Sequence, residues 1–146
     1  MLGDIVSEGD KLTIADMEAG LEHLSRSDGT LRHVDALLVV IEPYRKALET
    51  ARRTVGLAHQ LGIPRIYGVG SKVRDDDDAA RIAAFADEVD LTVLATVPFD
   101  DTVSVADREG LAVLDTGEDA PAVQAIGHLL EALEAALEAG PVPARG

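Results

Sequence analysis

The sequence predicts an α/β protein built on a parallel sheet with flanking helices. Four short apolar runs read as strands: Leu12–Ala15, Ala36–Ile41, Arg65–Gly70 and Leu91–Val97. Stretches of helical period separate the later runs. Alternation of this kind implies parallel pairing through right-handed crossovers. The run Ala-Leu-Leu-Val-Val-Ile at 36–41 is apolar on both faces, the pattern of a strand covered on two sides. Ligands of such sheets bind beyond the C-terminal ends of the strands. Asp16, Glu42, Ser71 and Pro98 fall at those ends.

Each element has a local cause. Leu12–Ala15 ends in Asp16, and Gly20 follows four residues later. A strand-end carboxylate can hold a Mg²⁺-bound water or orient an attacking one, and a glycine lets a backbone N–H approach a phosphate oxygen. The plainer reading of Asp16 is a cap for the next helical turn. Leu24 to Asp35 is irregular and reads as a loop. Tyr44 to Leu61 then sets Ala47, Leu48, Ala51, Val55, Ala58 and Leu61 on one helical stripe. Pro43 suits its first turn, and Gly62 with Pro64 ends it. Asp75 to Asp78 opens a second helix that buries Ile82, Phe85, Ala86 and Val89. Its acidic start complements the helix dipole and reads as a solvated cap rather than a metal site. The last helix is expected from Asp119 to Ala139. Asp119 is its expected cap, and Val123, Ile126, Leu130, Leu133 and Leu137 its stripe. Residues 1–139 read as one domain, and 140–146, with Pro141 and Pro143, as a disordered tail.

Composition excludes several classes. A chain of 146 residues with 47% hydrophobic content is long enough for a real core. Aromatics are 3%, so that core rests on Val, Leu, Ile and Ala. No cysteine is present, which removes disulfides, thiolate zinc sites and thiol nucleophiles and suits a reducing cytoplasm. The net charge of −14 repels nucleic-acid backbones and anionic lipid. No apolar run is long enough to span a bilayer. The N-terminus lacks the basic apolar pattern of a signal peptide. The last helix carries no Lys or Arg, unlike a membrane-surface helix. The expectation is a cytoplasmic protein with neither nucleic-acid nor membrane partners. His23 and His33 do not sit at helical ligand spacing, and His59 and His128 fall on separate helices, so surface or packing roles are expected. Arg45, Lys46, Arg52 and Arg53 form a basic cluster, read as a solvated face balanced by Glu49.

Four motifs in order resemble one family. Asp16-Met17-Glu18-Ala19-Gly20 comes first, then Val39-Val40-Ile41-Glu42-Pro43. Gly70-Ser71-Lys72-Val73 and Val97-Pro98-Phe99-Asp100 follow. The set is similar to the MinD/ParA-type P-loop ATPases (SIMIBI class), and within them to the CooC-like accessory ATPases of nickel insertion into carbon monoxide dehydrogenase. The likeness spans roughly Lys11 to Asp115. It implies ATP or ADP with Mg²⁺ as cofactors and a partial P-loop NTPase fold. It implies Asp16 as the switch carboxylate near Mg²⁺ and water, and Gly20 as a donor to the terminal phosphate. Glu42, Ser71, Lys72, Pro98 and Phe99 would then lie around the nucleotide, the last four near its base. The implied partners are a homologous ATPase subunit or a second copy, and a metalloenzyme client.

Departures from the family limit the expectation. No segment reads Gly-x-x-x-x-Gly-Lys-Ser/Thr, and only ten residues precede Lys11. Ser71 stands where the family has Asn, which can donate to and accept from a base edge together. The Cys-x-Cys pair of the nickel subgroup is absent. In the family the phosphate-loop strand lies between the strands corresponding to Leu12–Ala15 and Ala36–Ile41. Flanking strands of that kind stand roughly 9–10 Å apart. Three outcomes are open: the two close up and pair, a separate polypeptide supplies the missing strand, or the chain is a poorly folding fragment. The expected function is the C-terminal portion of such an ATPase, unable to bind or hydrolyse ATP unaided. The alternatives are a non-catalytic module that regulates a full-length homologue, and a small α/β enzyme pairing Asp16 with His23 or His33.

Overall fold

The computed structural model describes residues 12–17 and 34–140. Three parallel strands form its sheet: β1 (Leu37–Ile41), β2 (Ile66–Val73) and β3 (Thr92–Pro98), in the order β1-β2-β3. Helix α1 (Arg45–Gln60) joins β1 to β2, and α2 (Asp76–Glu88) joins β2 to β3. After β3 come α3 (Asp101–Glu109), the short α4 (Val113–Thr116) and α5 (Pro121–Glu138). The expected α/β class and parallel pairing are those observed.

The core forms where α1 and α2 lie against the sheet. Val39 and Ile41 of β1 pack with Ala51 and Val55 of α1 and with Ile82, Phe85 and Ala86 of α2. Ile41 is wholly buried. The close fit requires glycine at the centre. A Cβ on Gly68 would lie 3.0 Å from a Leu91 methyl and 3.1 Å from an Ile41 methyl, and one on Gly70 would lie 3.2 Å from Ile82. Two glycines in the middle strand thus let bulky aliphatic neighbours meet above it.

Helix α2 begins as the sequence indicates. Asp75 caps it, its carboxylate accepting from the Asp78 N–H at 2.8 Å, with Asp76 to Asp78 in the first turn. Helix α1 buries Ala51, Val55 and Ala58, while Leu61, placed on its stripe, is 37% exposed as the C-cap.

Four expectations are corrected. Leu12–Ala15 is not a strand. It is irregular, with Leu12 and Ile14 exposed, and it does not pair with β1. A strand persists only where a neighbour takes its backbone hydrogen bonds, and no described strand stands beside it. Direct pairing of that segment with β1, one of the three open outcomes, therefore does not occur. Asp119 does not cap α5, whose N-cap is Ala120 with Pro121 beginning the helix. The Ala122 N–H instead donates to Asp100 at 3.0 Å. The α5 stripe is rotated: Ala122 and Leu133 are buried, but Ile126 and Leu130 are exposed. Finally, α3 and α4 occupy a stretch where the sequence pattern marks no helix. Residues 141–146, the expected tail, lie outside the described residues.

Candidate functional site

Three chain exits share one rim of the sheet. Beyond β1 come Glu42, half-buried, and Pro43, fully buried. At the end of β2 the pairing with β3 slips between Gly70 and Val73, a β-bulge. Lys72 sits in the bulge with φ +55°. Left-handed backbone costs a residue with a Cβ roughly 1–2 kcal/mol, so a lysine there is held by its surroundings. One holding contact is visible. The Lys72 ammonium lies 2.7 Å from the Glu42 carboxylate, tying the β1 exit to the β2 bulge. The hydrogen bond to Glu42 and its charge raise the Lys72 pKa above the ordinary lysine value. Both side chains meet solvent, so the pair adds only ~0–1 kcal/mol.

The third exit is that of β3. Phe99 N–H donates to the Val73 carbonyl at 2.8 Å, holding Phe99 beside the bulge. The Arg74 guanidinium stands 3.7 Å from the centre of the Phe99 ring, a close cation–π stack. Asp100 then anchors two helix starts. One carboxylate oxygen accepts from the Thr102 N–H at 2.9 Å and the other from the Ala122 N–H at 3.0 Å. These backbone donors, Ala122 first, hold the Asp100 carboxyl below the usual aspartate range.

The rim therefore brings together Glu42, Ser71, Lys72, Pro98 and Phe99. It does not bring Asp16. Met17, the next residue, packs against the Ala58–Ile63 cluster, which Leu37 and Ile66 join from the strands' N-terminal ends. Lys72 lies six residues beyond Ile66 along β2, roughly 20 Å at strand rise. Asp16 itself is exposed at that far end. Its expected place beside the other site residues is corrected for the same reason as its strand: no neighbouring strand carries it up to the rim. Gly20, His23 and His33 lie outside the described residues.

Chemically, the rim offers an aromatic ring, two cations and a carboxylate. The Ser71 hydroxyl has no partner among the described residues. Among those residues no group of three His, Asp or Glu converges to hold a metal ion. Among the described residues, the side chains on the rim do not make up a ligand set for a Mg²⁺–phosphate centre. Arg74 and the Asp100 double cap join the site without having been expected there. The order Val97-Pro98-Phe99-Asp100 marks the place, but nothing local shows that Asp100 reaches a helix 22 residues away.

No family model matches the chain. It is 38% identical over 132 residues to the carbon monoxide dehydrogenase accessory protein CooC of Rhodospirillum rubrum, covering 90% of this chain and 48% of that protein. An uncharacterized ATP-binding protein of Methanocaldococcus jannaschii is 40% identical over 103 residues, covering 70% of this chain and 39% of its own length. Among solved structures, the MinD cell division protein of Aquifex aeolicus superposes with TM-score 0.60 at 16% identity, over 80% of this chain and 49% of that one. A ParA family ATPase from Chlorobium tepidum gives 0.59 at 19%, over 71% and 43%. The structural likenesses show the fold.

The fold is that of the MinD/ParA-like P-loop NTPases, and the sequence is similar to those curated relatives over most of this chain. Within that class it is CooC-like, and it spans about half the length of the curated relatives it matches.

Proposed function

We propose that this chain is the base-facing, C-terminal portion of a MinD/ParA-type ATPase and that it does not hydrolyse ATP unaided. The observation that carries the reading is the split between the two groups of expected site residues. Glu42, Ser71, Lys72, Pro98 and Phe99 meet on one rim, while Asp16 stands at the opposite end of the sheet. A flat base suits the Pro98–Phe99 edge and the stacked Arg74. Most phosphate affinity in such ATPases comes from loop amides and a lysine, and no phosphate-loop pattern occurs in this sequence. Work in a reducing cytoplasm, on ATP or ADP with Mg²⁺ supplied at a completed site, accords with this reading. So does service to a metalloenzyme client through a homologous subunit.

Calorimetric titration with adenosine, ADP and Mg-ATP tests it. The expected result is weak adenosine binding that Phe99→Ala abolishes, little gain from added phosphates, and no phosphate release. Micromolar, Mg²⁺-dependent ATP affinity overturns the proposal.

A second reading, an interaction module for a full-length homologue, is favoured by one feature. Among the described residues β1 pairs on one side only, and Val40 in its middle is 65% exposed. Nucleotide-independent co-purification with such a homologue, lost in Val40→Lys, supports it. Failure to co-purify removes it.

A further inference from the structure

Two polar side chains at the rim keep hydrogen-bonding capacity that nothing else there uses. The rim's carboxylates are engaged. Glu42 meets the Lys72 ammonium at 2.7 Å, and the two oxygens of Asp100 accept from the Thr102 and Ala122 N–H groups. Arg74 is placed differently. Four aspartates, Asp75 to Asp78, follow it directly, yet its guanidinium has no ion-pair partner among the described residues. The aspartates serve the start of α2 instead. Asp75 accepts from the Asp78 N–H at 2.8 Å, and Asp78 accepts from the Arg74 backbone N–H at 3.1 Å. The guanidinium lies over the Phe99 ring, so its N–H fork has no acceptor among the described residues. Ser71, three residues earlier, is half-buried, and its hydroxyl is likewise without a partner among them.

The stack fixes where those donors stand. Phe99 is tied to Val73 through its N–H, and Arg74 is tied to Asp78 through its own. Ring and guanidinium are thus each held beside the bulge that carries Ser71 and Lys72. A planar fork already settled on an aromatic face loses little further freedom when its edge takes a ligand.

Reading an adenine edge takes a donor for a ring nitrogen and an acceptor for the neighbouring amino group. One asparagine amide supplies both, whereas one serine hydroxyl does not serve two adjacent atoms as a fixed pair. We propose that Arg74 is a base-reading residue of the rim and shares this task with Ser71. The Arg74 guanidinium donates to the ring nitrogen, and the Ser71 oxygen accepts from the amino group. Phe99 is then the support that positions Arg74. The inference rests on the nucleotide reading of the rim given above and adds the residue that recognises the base.

Titration of the full chain with AMP, followed by nuclear magnetic resonance, tests it. Arg74→Ala is expected to weaken AMP at least fivefold with circular dichroism unchanged. Arg74→Lys keeps a cation beside Phe99 but lacks the planar fork, and a similar loss is expected. Ser71→Asn supplies donor and acceptor from one side chain, so in that background Arg74→Ala should cost less than twofold. A residue that merely held Phe99 in place would cost the same in both backgrounds. A wild-type chain that binds no AMP overturns the nucleotide reading and this inference with it. Wild-type binding that Arg74→Ala leaves unchanged or strengthens, or equal losses in the two backgrounds, overturns the inference alone.

Discussion

β2 and β1 are both apolar strands of one sheet, but they stand in different surroundings. β2 pairs on both sides, and Tyr67 to Gly70 are all buried. Among the described residues β1 pairs on one side, and its Val40 side chain lies largely in solvent. Central strands of parallel sheets are apolar because they are covered on both faces. β1 has that composition without the matching environment, and it carries no charge, proline or bulge to blunt its edge. The apolarity of a strand therefore records the neighbours it suits rather than the neighbours present.

This contrast can be broken or sharpened by substitution. The largest effect is expected at Ile41, the β1 residue turned toward the helices. Ile41→Ala should cost about 2–5 kcal/mol in chemical unfolding, since the wholly buried site cannot collapse around the loss. Gly68→Ala should cost about 1–3 kcal/mol, because its methyl meets Leu91 and Ile41 at 3.0 and 3.1 Å. If Gly68→Ala is neutral, β2 is less tightly enclosed than its burial indicates.

Asp100→Ala comes next, with a fall of several degrees in melting temperature at neutral pH. The sign of its pH dependence comes from the lowered carboxyl. The stabilisation is present above the ordinary value of 3.8 and is lost as pH falls through the lower folded value. Melting curves of wild type and variant should therefore converge in acid. Glu42→Gln should cost under ~1 kcal/mol, an effect that salt reduces. The Lys72 side of that pair is fully stabilising below 10.5 and fades as pH rises through its raised value. The smallest change is expected at the exposed β1 position. Val40→Lys should stay within about 0.5 kcal/mol of wild type. A larger loss would mean that the β1 edge is covered in solution.

Legibility in the sequence tracks the range of the forces involved. α1 and α2 are readable because their stripes, the Asp75 cap and the Gly62–Pro64 stop are local signals. The rim is readable as an ordered set of motifs at strand ends. α3 is not, since Thr102, Val103 and Val105 are poor helix formers. It starts because Asp100 accepts the Thr102 N–H. The phase of α5 escapes because its face is chosen by β3 and by a cap arriving from far upstream. Asp16 is misplaced because an apolar run reads as a strand whether or not a neighbour exists to pair with it. The Lys72 bulge is invisible because nothing in Gly-Ser-Lys-Val announces left-handed backbone at the lysine.

The shared carboxylate of Asp100 has a dynamic consequence. With the starts of α3 and α5 tethered to one side chain, neither first turn can open without loosening its hold on the other. Phe99 is the adjoining residue and stacks under Arg74, so the aromatic end of the rim belongs to the same opening unit. Amide exchange at Thr102 and Ala122 should slow and quicken in step, and any molecule that stills Phe99 should protect both.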